Sequence, residues 1–370
     1  MTASPAAAAP GAVPAHAAPR LRESVGHVVQ HLLTPLLMCL GMGLAYLGAF
    51  HAPAPHGMEV AVVGTGTRAQ VLAQTLEDKA GDGLDVRTVP TRDAAVDRLL
   101  DRDLAAAYVP SAEHPELLVA KANSDTTATV AETVFGKVAA ERHAPLSVTD
   151  LAPTAEGDPT GQGLFFVLVT ISIGSYASVA AIGAAGAALR LWTRAAIGLA
   201  TSLVVSVIGI VLAGPVFHIV DHGLAGVWGM AWLYSAGIVA IGVGLHTFLK
   251  RWTTLTMMTL FVMLNFTTSG GIFRPELQNG FFGALHAFWN GAGFVEGVRS
   301  LLYFPSAPGL TGRVVSLILW LAVGLVALAV ADGAERRARR ATRPAPLPTA
   351  EERDAEERDV EEEMAEAVAV

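Results

Sequence analysis

Long apolar stretches recur along the chain, and its charged residues are concentrated in the segments between them. A helix needs about 20 apolar residues to cross about 30 Å of hydrocarbon. Six stretches are long enough and lack the alternation of apolar and polar positions that marks a strand. We therefore predict an α-helical polytopic membrane protein with six transmembrane helices, at residues 32–50, 163–189, 195–220, 224–248, 253–270 and 313–332.

The composition agrees with a membrane protein. Of 370 residues, 52% are hydrophobic and 16% are charged, with a mean hydropathy of +0.47, whereas soluble domains carry about 25% charged residues. The net charge of −8 equals the acidic excess of residues 351–370, so the rest of the chain gives no reason to expect a nucleic-acid partner. Arginine outnumbers lysine 21 to 4, which is typical of GC-rich genomes and favours a bacterial source. The single cysteine, Cys39, excludes a disulfide framework within the chain.

Positive charge orients the predicted helices, because short cytoplasmic loops are enriched in lysine and arginine. All short basic clusters fall on one side when both termini are cytoplasmic. They are Arg20 with Arg22, Arg190 with Arg194, Lys250 with Arg251, and the arginines of 336–340. The first apolar stretch is longer than a usual signal core, so we interpret it as a retained helix in the cell membrane; a cleaved signal peptide is the alternative.

A small extracytoplasmic α/β domain is predicted at residues 51–162, inserted after the first transmembrane helix, because strand-like and helix-like patterns alternate there. The predicted strands are Glu59–Val63, Leu84–Val89, Leu104–Val109 and Glu116–Ala120, and the predicted helices are Thr67–Lys79, Arg92–Asp101 and Asp125–Arg142. The remaining segments are a disordered cytoplasmic N-terminus (1–19), an amphipathic leading helix with the first transmembrane helix (20–50), a five-helix membrane domain (163–332) and a charged cytoplasmic tail (333–370).

A glycine-rich turn, Gly64-Thr-Gly66, follows the first strand of this domain and precedes a helix, as a dinucleotide-binding turn would. Such sites place an acidic residue at the end of the next strand, but Asp85 lies at its beginning. An outward-facing domain is also separated from nicotinamide cofactors. We interpret the turn as a simple strand-to-helix connection and predict no cofactor.

Motifs for catalysis and ion coupling are missing from the sequence. The Gly136-Lys137 pair lacks the other residues of a P-loop, so any use of ATP requires another chain. No His-Glu-x-x-His pattern occurs, and His27 with His31 alone is a weak metal signal, so we predict no metal site. No acidic or basic residue falls in the middle of a predicted transmembrane helix, which disfavours ion-coupled transport. Asn265, the polar exception, can bond a neighbouring helix.

Residues 270–305 are too polar and too interrupted by glycine and proline to span, yet they are rich in aromatic residues. Such a segment lies at the membrane interface or re-enters the membrane where protein covers it, so we predict an outer re-entrant segment. Its candidate gate residues are Phe281, Phe282, Trp289, Glu296 and Arg299. We interpret Glu296 and Arg299, one helical turn apart, as a surface ion pair, with a gating role as the alternative.

A series of motifs runs in a consistent order through residues 25–332. They are Asp85–Val89, Asp93–Tyr108, Ala122–Asp125, Gly157–Phe166, Thr268–Gly271, Pro275–Leu277, Phe281-Phe282, Gly293–Ser300 and Tyr303-Phe304. In this order they resemble the motifs of ABC-2-type transporter permeases, and more specifically the phage-infection-protein-like subgroup with a large extracytoplasmic domain. The chain departs from that pattern at Gly64–Thr67 and at Trp289–Ala292.

The resemblance implies the membrane (permease) subunit of an ABC-type exporter, which is not itself an enzyme and pairs with a separately encoded ATPase subunit. A homodimer or heterodimer of permeases in the lipid bilayer would then form the translocation path. The lack of charge inside the predicted helices favours an amphipathic or lipid-like substrate. The alternative is a membrane-anchored extracytoplasmic binding, receptor or scaffold protein without transport activity, favoured by the size of the 51–162 domain.

Permeases of this kind receive force from the ATPase through short cytoplasmic connections, and the tightest connection here runs from Arg190 to Arg194. Arginines make charge-assisted contacts to carboxylates, and tryptophan is a strong interface anchor. The candidate ATPase-coupling residues are therefore Arg190, Trp192 and Arg194. The alternative is that they only fix the orientation of the chain at the membrane interface.

Overall fold

A computed structural model of the protein describes residues 21–341 and Arg358. Five helical stretches in this part of the chain are long and apolar enough to cross a membrane, and a small mixed sheet lies between the first and the second. The predicted N-terminal segment 1–19 and most of the tail 333–370 lie outside the described residues.

The first helix, α1 (Leu21–Phe50), is continuous and contains Pro35. The predicted leading helix of residues 20–31 is therefore helical from Leu21 and runs without a break into the first apolar stretch. Very little of that stretch is buried within the protein. Where α1 does contact the rest of the protein, a small residue of α1 faces a larger one, as Gly48 faces Phe282.

The α/β domain that follows contains five strands in the order β2-β1-β3-β4-β5. The strands are β1 (Met58–Val63), β2 (Leu84–Val89), β3 (Ala106–Val109), β4 (Glu116–Val119) and β5 (Ser147–Asp150), and the helices are α2 (Thr67–Ala80), α3 (Arg92–Leu100) and α4 (Asp125–Glu141). β1 is parallel to β2 and β3, β4 is antiparallel to β3, and β5 is parallel to β4. All predicted strands and helices of this domain are confirmed to within two residues. β5 is missing from the prediction because a four-residue edge strand with mostly exposed or half-buried side chains carries almost no pattern.

Alternating side chains of the strands divide the core of this domain into two layers. α2 and α4 cover one face of the sheet, where Val60 is fully buried and Tyr108 stacks on Phe135 with the ring centroids 5.1 Å apart. α3 covers the other face through Ala95 and Leu99. The alternation of side chains along each strand therefore determines which residues face α2 and α4 and which face α3.

The helical part of the chain is built around one central helix. Its elements are α5 (Gly163–Ala185), α6 (Leu191–Val211) with a π turn (Leu212–Val216), α7 (Leu224–Leu249), α8 (Thr253–Met258), a second π turn (Thr259–Met263), α9 (Leu264–Thr268), α10 (Gly280–His286), α11 (Asn290–Tyr303) and α12 (Leu310–Ala341). α7 packs against α5, α6, α11 and α12, and half of its residues are buried.

The fourth apolar stretch, Leu224–Thr268, is 45 residues long, which as a straight helix would measure about 68 Å. The chain reverses within it at the 3-10 turn Lys250–Trp252. Across this reversal Asn265 donates a hydrogen bond to the hydroxyl of Tyr234. The predicted helices 224–248 and 253–270 therefore correspond to two antiparallel arms of one hairpin.

Close approach of α12 to α7 depends on glycine. A Cβ atom on Gly324 would lie 2.6 Å from the Cβ of Ala240 and 3.0 Å from the amide nitrogen of Ile241. A Cβ on Gly244 would lie 2.8 Å from the backbone of Ala327. Small residues at such crossings let helix backbones pack in contact, as is common in membrane proteins.

Candidate functional site: a buried charge cluster beside α11

The segment between α9 and α12 is helical but broken. It turns at Gly270, whose φ of +75° suits glycine, and continues through α10 and α11. α11 has only 14 residues, or about 21 Å of helix, so it is too short to cross a bilayer. Twelve of these residues are nevertheless buried. The later part of the predicted re-entrant segment 270–305, α11, is thus enclosed by the rest of the protein, whereas Phe281 and Phe288 in the earlier part are exposed.

The first turn of α11 is held against the hairpin of α7 and α9. The amide nitrogen of Gly291 donates to Asn265 Oδ1 at 2.5 Å, and the Asn265 amide donates in turn to Tyr234. The indole Nε1 of Trp289 donates to the carbonyl of Leu260 at 3.1 Å, within the second π turn. A π turn interrupts the helical hydrogen-bond ladder and is frequent at functional positions. Asn265 bonds a neighbouring helix, as predicted.

The centre of the site is the carboxylate of Glu296, which is 1% exposed and faces three arginines. Arg299 Nη1 donates to Glu296 Oε1 at 2.7 Å, and Arg274 Nη1 donates to Glu296 Oε2 at 3.3 Å. Arg102 also donates to Oε2. We call Glu296 and these three arginines, with Glu276, the charge cluster.

Arg102 brings the α/β domain into the charge cluster. It follows α3 in a left-handed turn with φ of +65°, which is uncommon for a residue other than glycine. Its Nε donates to Asn123 Oδ1 at 2.8 Å, and its Nη1 donates to Ser300 Oγ at 2.6 Å. The guanidinium also lies over the ring of Phe304, 5.2 Å from the centroid. One side chain therefore connects the domain with α11 and the residue after it.

Arg274 makes a second connection between the same two parts of the protein. Its Nη1 donates to Asn123 Oδ1 at 2.7 Å, and its Nε donates to Glu276 Oε1 at 3.0 Å. Asn123 thus accepts hydrogen bonds from both Arg102 and Arg274. A polar cavity of 190 Å³ lies beside these groups and is lined by Glu59 among others.

Burial and charge act against each other in the charge cluster. Burial raises the pKa of Glu296, but Arg102, Arg299 and Arg274 together hold that pKa well below its ordinary value. Burial lowers the pKa of Arg102 to about 10 despite the opposing charge of Glu296. Glu296 and Arg102 are therefore both ionised at neutral pH. By formal charge, the three arginines of the cluster exceed its two carboxylates by one.

His286 lies beside this cluster and is neutral. Burial, joined by the charges of Arg313 and Arg274 and opposed by that of Glu296, lowers the pKa of His286 to about 4. Its Nδ1–H donates to the carbonyl of Thr268 at 2.8 Å. The neutral ring thus satisfies the last carbonyl group of α9 without adding a charge.

The five candidate gate residues occupy three different environments. Phe281 is 62% exposed, whereas Phe282 is buried against α1. Trp289 packs on the π turn, away from this aromatic pair. Glu296 and Arg299 do pair, but the interpretation as a surface ion pair is wrong, because they are 1% and 3% exposed. The sequence pattern could not show that Arg102 of the α/β domain packs on Glu296 and helps to bury it.

The candidate coupling residues also separate. Trp192 is 68% exposed and Arg190 is exposed. Arg194 is 7% exposed and forms an ion pair with Glu335 on α12. Its guanidinium is therefore used inside the chain, so the surface available to a partner is reduced to Arg190 and Trp192.

Sequence reasoning missed Arg102, Arg274 and Asn123 as members of one site. Arg274 and Arg299 carried a signal, because they are single arginines in a segment that the sequence places on the outer side. Arg102 carried none, since it lies among other charged residues of the α/β domain.

The glycine turn after β1 joins β1 to α2, and Asp85 lies at the far end of β2, where it pairs with Arg87. Among the described residues there is no group of three or more His, Cys, Asp or Glu side chains able to hold a metal ion.

Fold and site together define a helical protein whose described residues include five apolar helices long enough to span a membrane and a small α/β domain attached through buried charges. Comparison with models of protein families, with curated proteins and with solved structures finds no match to this chain. The resemblance to ABC-2-type permeases therefore rests on the motifs quoted above and stays a prediction.

Proposed function

We propose that this chain is the membrane subunit of an ABC-type exporter that moves an amphipathic or lipid-like substrate outward with ATP hydrolysed by a separate subunit. The observation that carries the proposal is α11, a buried helix too short to span that begins against the middle of a helical hairpin. Broken backbone at membrane depth is tolerated where protein or a water-filled path covers it. A wall of a translocation path is a structure of this kind.

The proposed topology has six crossings, with both termini in the cytoplasm. The reversal at Lys250–Trp252 supports it, because each arm of the Leu224–Thr268 hairpin would then cross separately. Lys250 and Arg251 at this reversal would lie on the cytoplasmic side, where basic residues accumulate. The α/β domain would face outward.

In the proposed exporter the charge cluster transmits motion between the α/β domain and α11. Arg102 and Arg274 both bind Glu296 of α11 and Asn123 of the domain. Any displacement of α11 during transport would break these buried contacts or carry the domain with it. Interior charge pairs are costly to break, so the second outcome is favoured. Two permease copies, identical or related, would enclose the path.

The test is purification of the tagged chain from its native membrane, followed by transport in vesicles. We expect an ATPase subunit to co-purify and ATP to drive outward movement of a fluorescent phospholipid. Glu296→Gln should slow this movement more than Glu113→Gln, an exposed carboxylate in the β3–β4 connection. If no ATPase co-purifies and no ATP-dependent movement occurs, the proposal is wrong, and a receptor or scaffold role is favoured.

A further inference from the structure

A second cavity lies in the α/β domain, at the end of β1 and β3. It has a volume of 670 Å³, within the range of small-molecule sites. Its walls are the first turns of α2, residues 110–112 after β3, and Arg142 at the end of α4. The cavity is separate from the charge cluster, with which it shares no lining residue.

The position of this cavity in the sheet is the one where open α/β sheets bind ligands. The chain leaves β1 through α2 to β2 on one side, and returns through α3 to β3 on the other side. The connections therefore diverge between β1 and β3. Ligands bind in the crevice beyond the carboxyl ends of the strands at such a switch point.

A buried hydroxyl group without a partner belongs to Tyr108 of β3, two residues before Pro110 of the cavity wall. Tyr108 is 0% exposed, and its Oη has no hydrogen-bond partner. The ring stacks on Phe135 of α4. Burial raises the pKa of Tyr108, and the charge of Arg142, at the end of the same helix, opposes this rise. Arg142 lines the cavity. Because an unpaired buried hydroxyl is costly, this group indicates a missing acceptor.

Two arginines on the cavity wall are also without a carboxylate. Arg68 and Arg142 are exposed, and neither forms an ion pair with an acidic side chain in the described part of the chain. The first turn of α2, which carries Arg68, has no side-chain cap at Gly66. The amides of Ala69 and Gln70 donate to the carbonyl of Gly66, which leaves those of Thr67 and Arg68 for a ligand. The remaining wall consists of Thr67 and Ser111 together with apolar residues such as Val71 and Leu72.

We propose that this cavity binds a small organic anion, a single phosphate or carboxylate group attached to a compact apolar body. Arg68 and Arg142 bind the anionic group, the Tyr108 hydroxyl donates a hydrogen bond to it, and the apolar wall covers the body. A dinucleotide does not fit this site, because Asp85 lies at the opposite end of β2. The proposal is independent of transport and holds whether the protein is an exporter or not.

The first experiment titrates the full-length chain, in lipid nanodiscs, with phenyl phosphate and benzoate by calorimetry. Inorganic phosphate and phenol test the anionic group and the apolar body alone. We expect at least one of the two complete probes to bind about tenfold or more tightly than either fragment. Arg68→Gln and Arg142→Gln should each weaken binding about tenfold, the scale of one charge-assisted hydrogen bond. Arg98→Gln, an exposed arginine on α3 at the other face of the sheet, is the matched control and should bind as the wild type does.

The second experiment isolates the hydroxyl with Tyr108→Phe. Because the hydroxyl has no partner in the ligand-free protein, the melting temperature without ligand should stay the same or rise, while affinity for the probe falls several-fold. A merely structural tyrosine would show the opposite pattern. The proposal is overturned if neither phenyl phosphate nor benzoate binds, or if the Arg68→Gln, Arg142→Gln and Tyr108→Phe variants all bind as tightly as Arg98→Gln.

Discussion

Replacement of Glu296 by Gln tests whether the charge cluster connects the α/β domain to α11. Gln keeps the shape of the side chain but removes the one negative charge that all three arginines share. It can still accept one or two of the hydrogen bonds. The substitution therefore isolates charge from packing.

The expected loss of stability is about 3 kcal/mol, at the lower end of the about 3–5 kcal/mol that breaking a buried ion pair costs. The lower end applies because two of the arginines keep other partners. Arg274 retains Glu276 at 3.0 Å, and Arg102 retains Ser300 at 2.6 Å. Arg299 keeps only the carbonyl of Gly270, at 3.3 Å, and loses the most.

The measurement is equilibrium unfolding of the full chain in mixed micelles, for Glu296→Gln, Arg102→Gln and the double variant. Residues in contact couple, so the double variant should be more stable than the sum of the two single effects predicts, by more than about 1 kcal/mol. Glu113→Gln is the matched control and should change stability by no more than about 0.5 kcal/mol, since Glu113 is exposed.

Dependence on pH adds a second readout. Because the folded protein holds the pKa of Glu296 well below the ordinary value of 4.5, its contribution to stability is complete above that pH and declines as the pH falls below it. The difference between wild type and Glu296→Gln should therefore be constant from pH 7 to 5 and narrow in more acidic solution. Equal stability of Glu296→Gln and Glu113→Gln at pH 7, or strict additivity with Arg102→Gln, would refute the role assigned to the cluster.

Three further predictions concern other parts of the molecule. Since burial lowers the pKa of His286 to about 4 from 6.5, stability should decline by about 2 kcal/mol between pH 7 and 5, and His286→Asn should remove most of this decline in unfolding titrations. Gly324→Ala should destabilise the protein by about 1–3 kcal/mol in thermal unfolding, because the added methyl group meets α7. Gly333→Ala on the same helix, with open space around it, should be neutral or slightly stabilising. Similar effects of the two substitutions would contradict the role of Gly324 in the α7–α12 contact. In the proposed exporter, Trp192→Ala should leave membrane insertion intact and weaken the free energy of ATPase binding by about 1 kcal/mol or more, measured as reduced co-purification. Trp252→Ala, at another exposed tryptophan, should not reduce co-purification. Equal retention of the ATPase by both variants would show that Trp192 is not part of the contact.

The sequence alone determined the elements whose pattern is local. Long apolar runs set the apolar helices, because the length and hydropathy of a run depend only on consecutive residues. The period-two pattern set the strands of the α/β domain in the same way. Where the pattern was short, as in β5, the prediction failed.

Tertiary structure decided which charges are buried. Glu296 and Arg102 are 194 positions apart in the chain, and neither has a local pattern that marks it as interior. The same holds for Arg194, a candidate residue for contact with the ATPase, which pairs with Glu335 on a distant helix. Removing a charged side chain from water costs free energy, and in this cluster that cost is offset by partners on other helices and on the α/β domain. Which partners a charge meets depends on how the helices and the α/β domain pack together, and the periodic pattern of apolar residues carries no information about this packing.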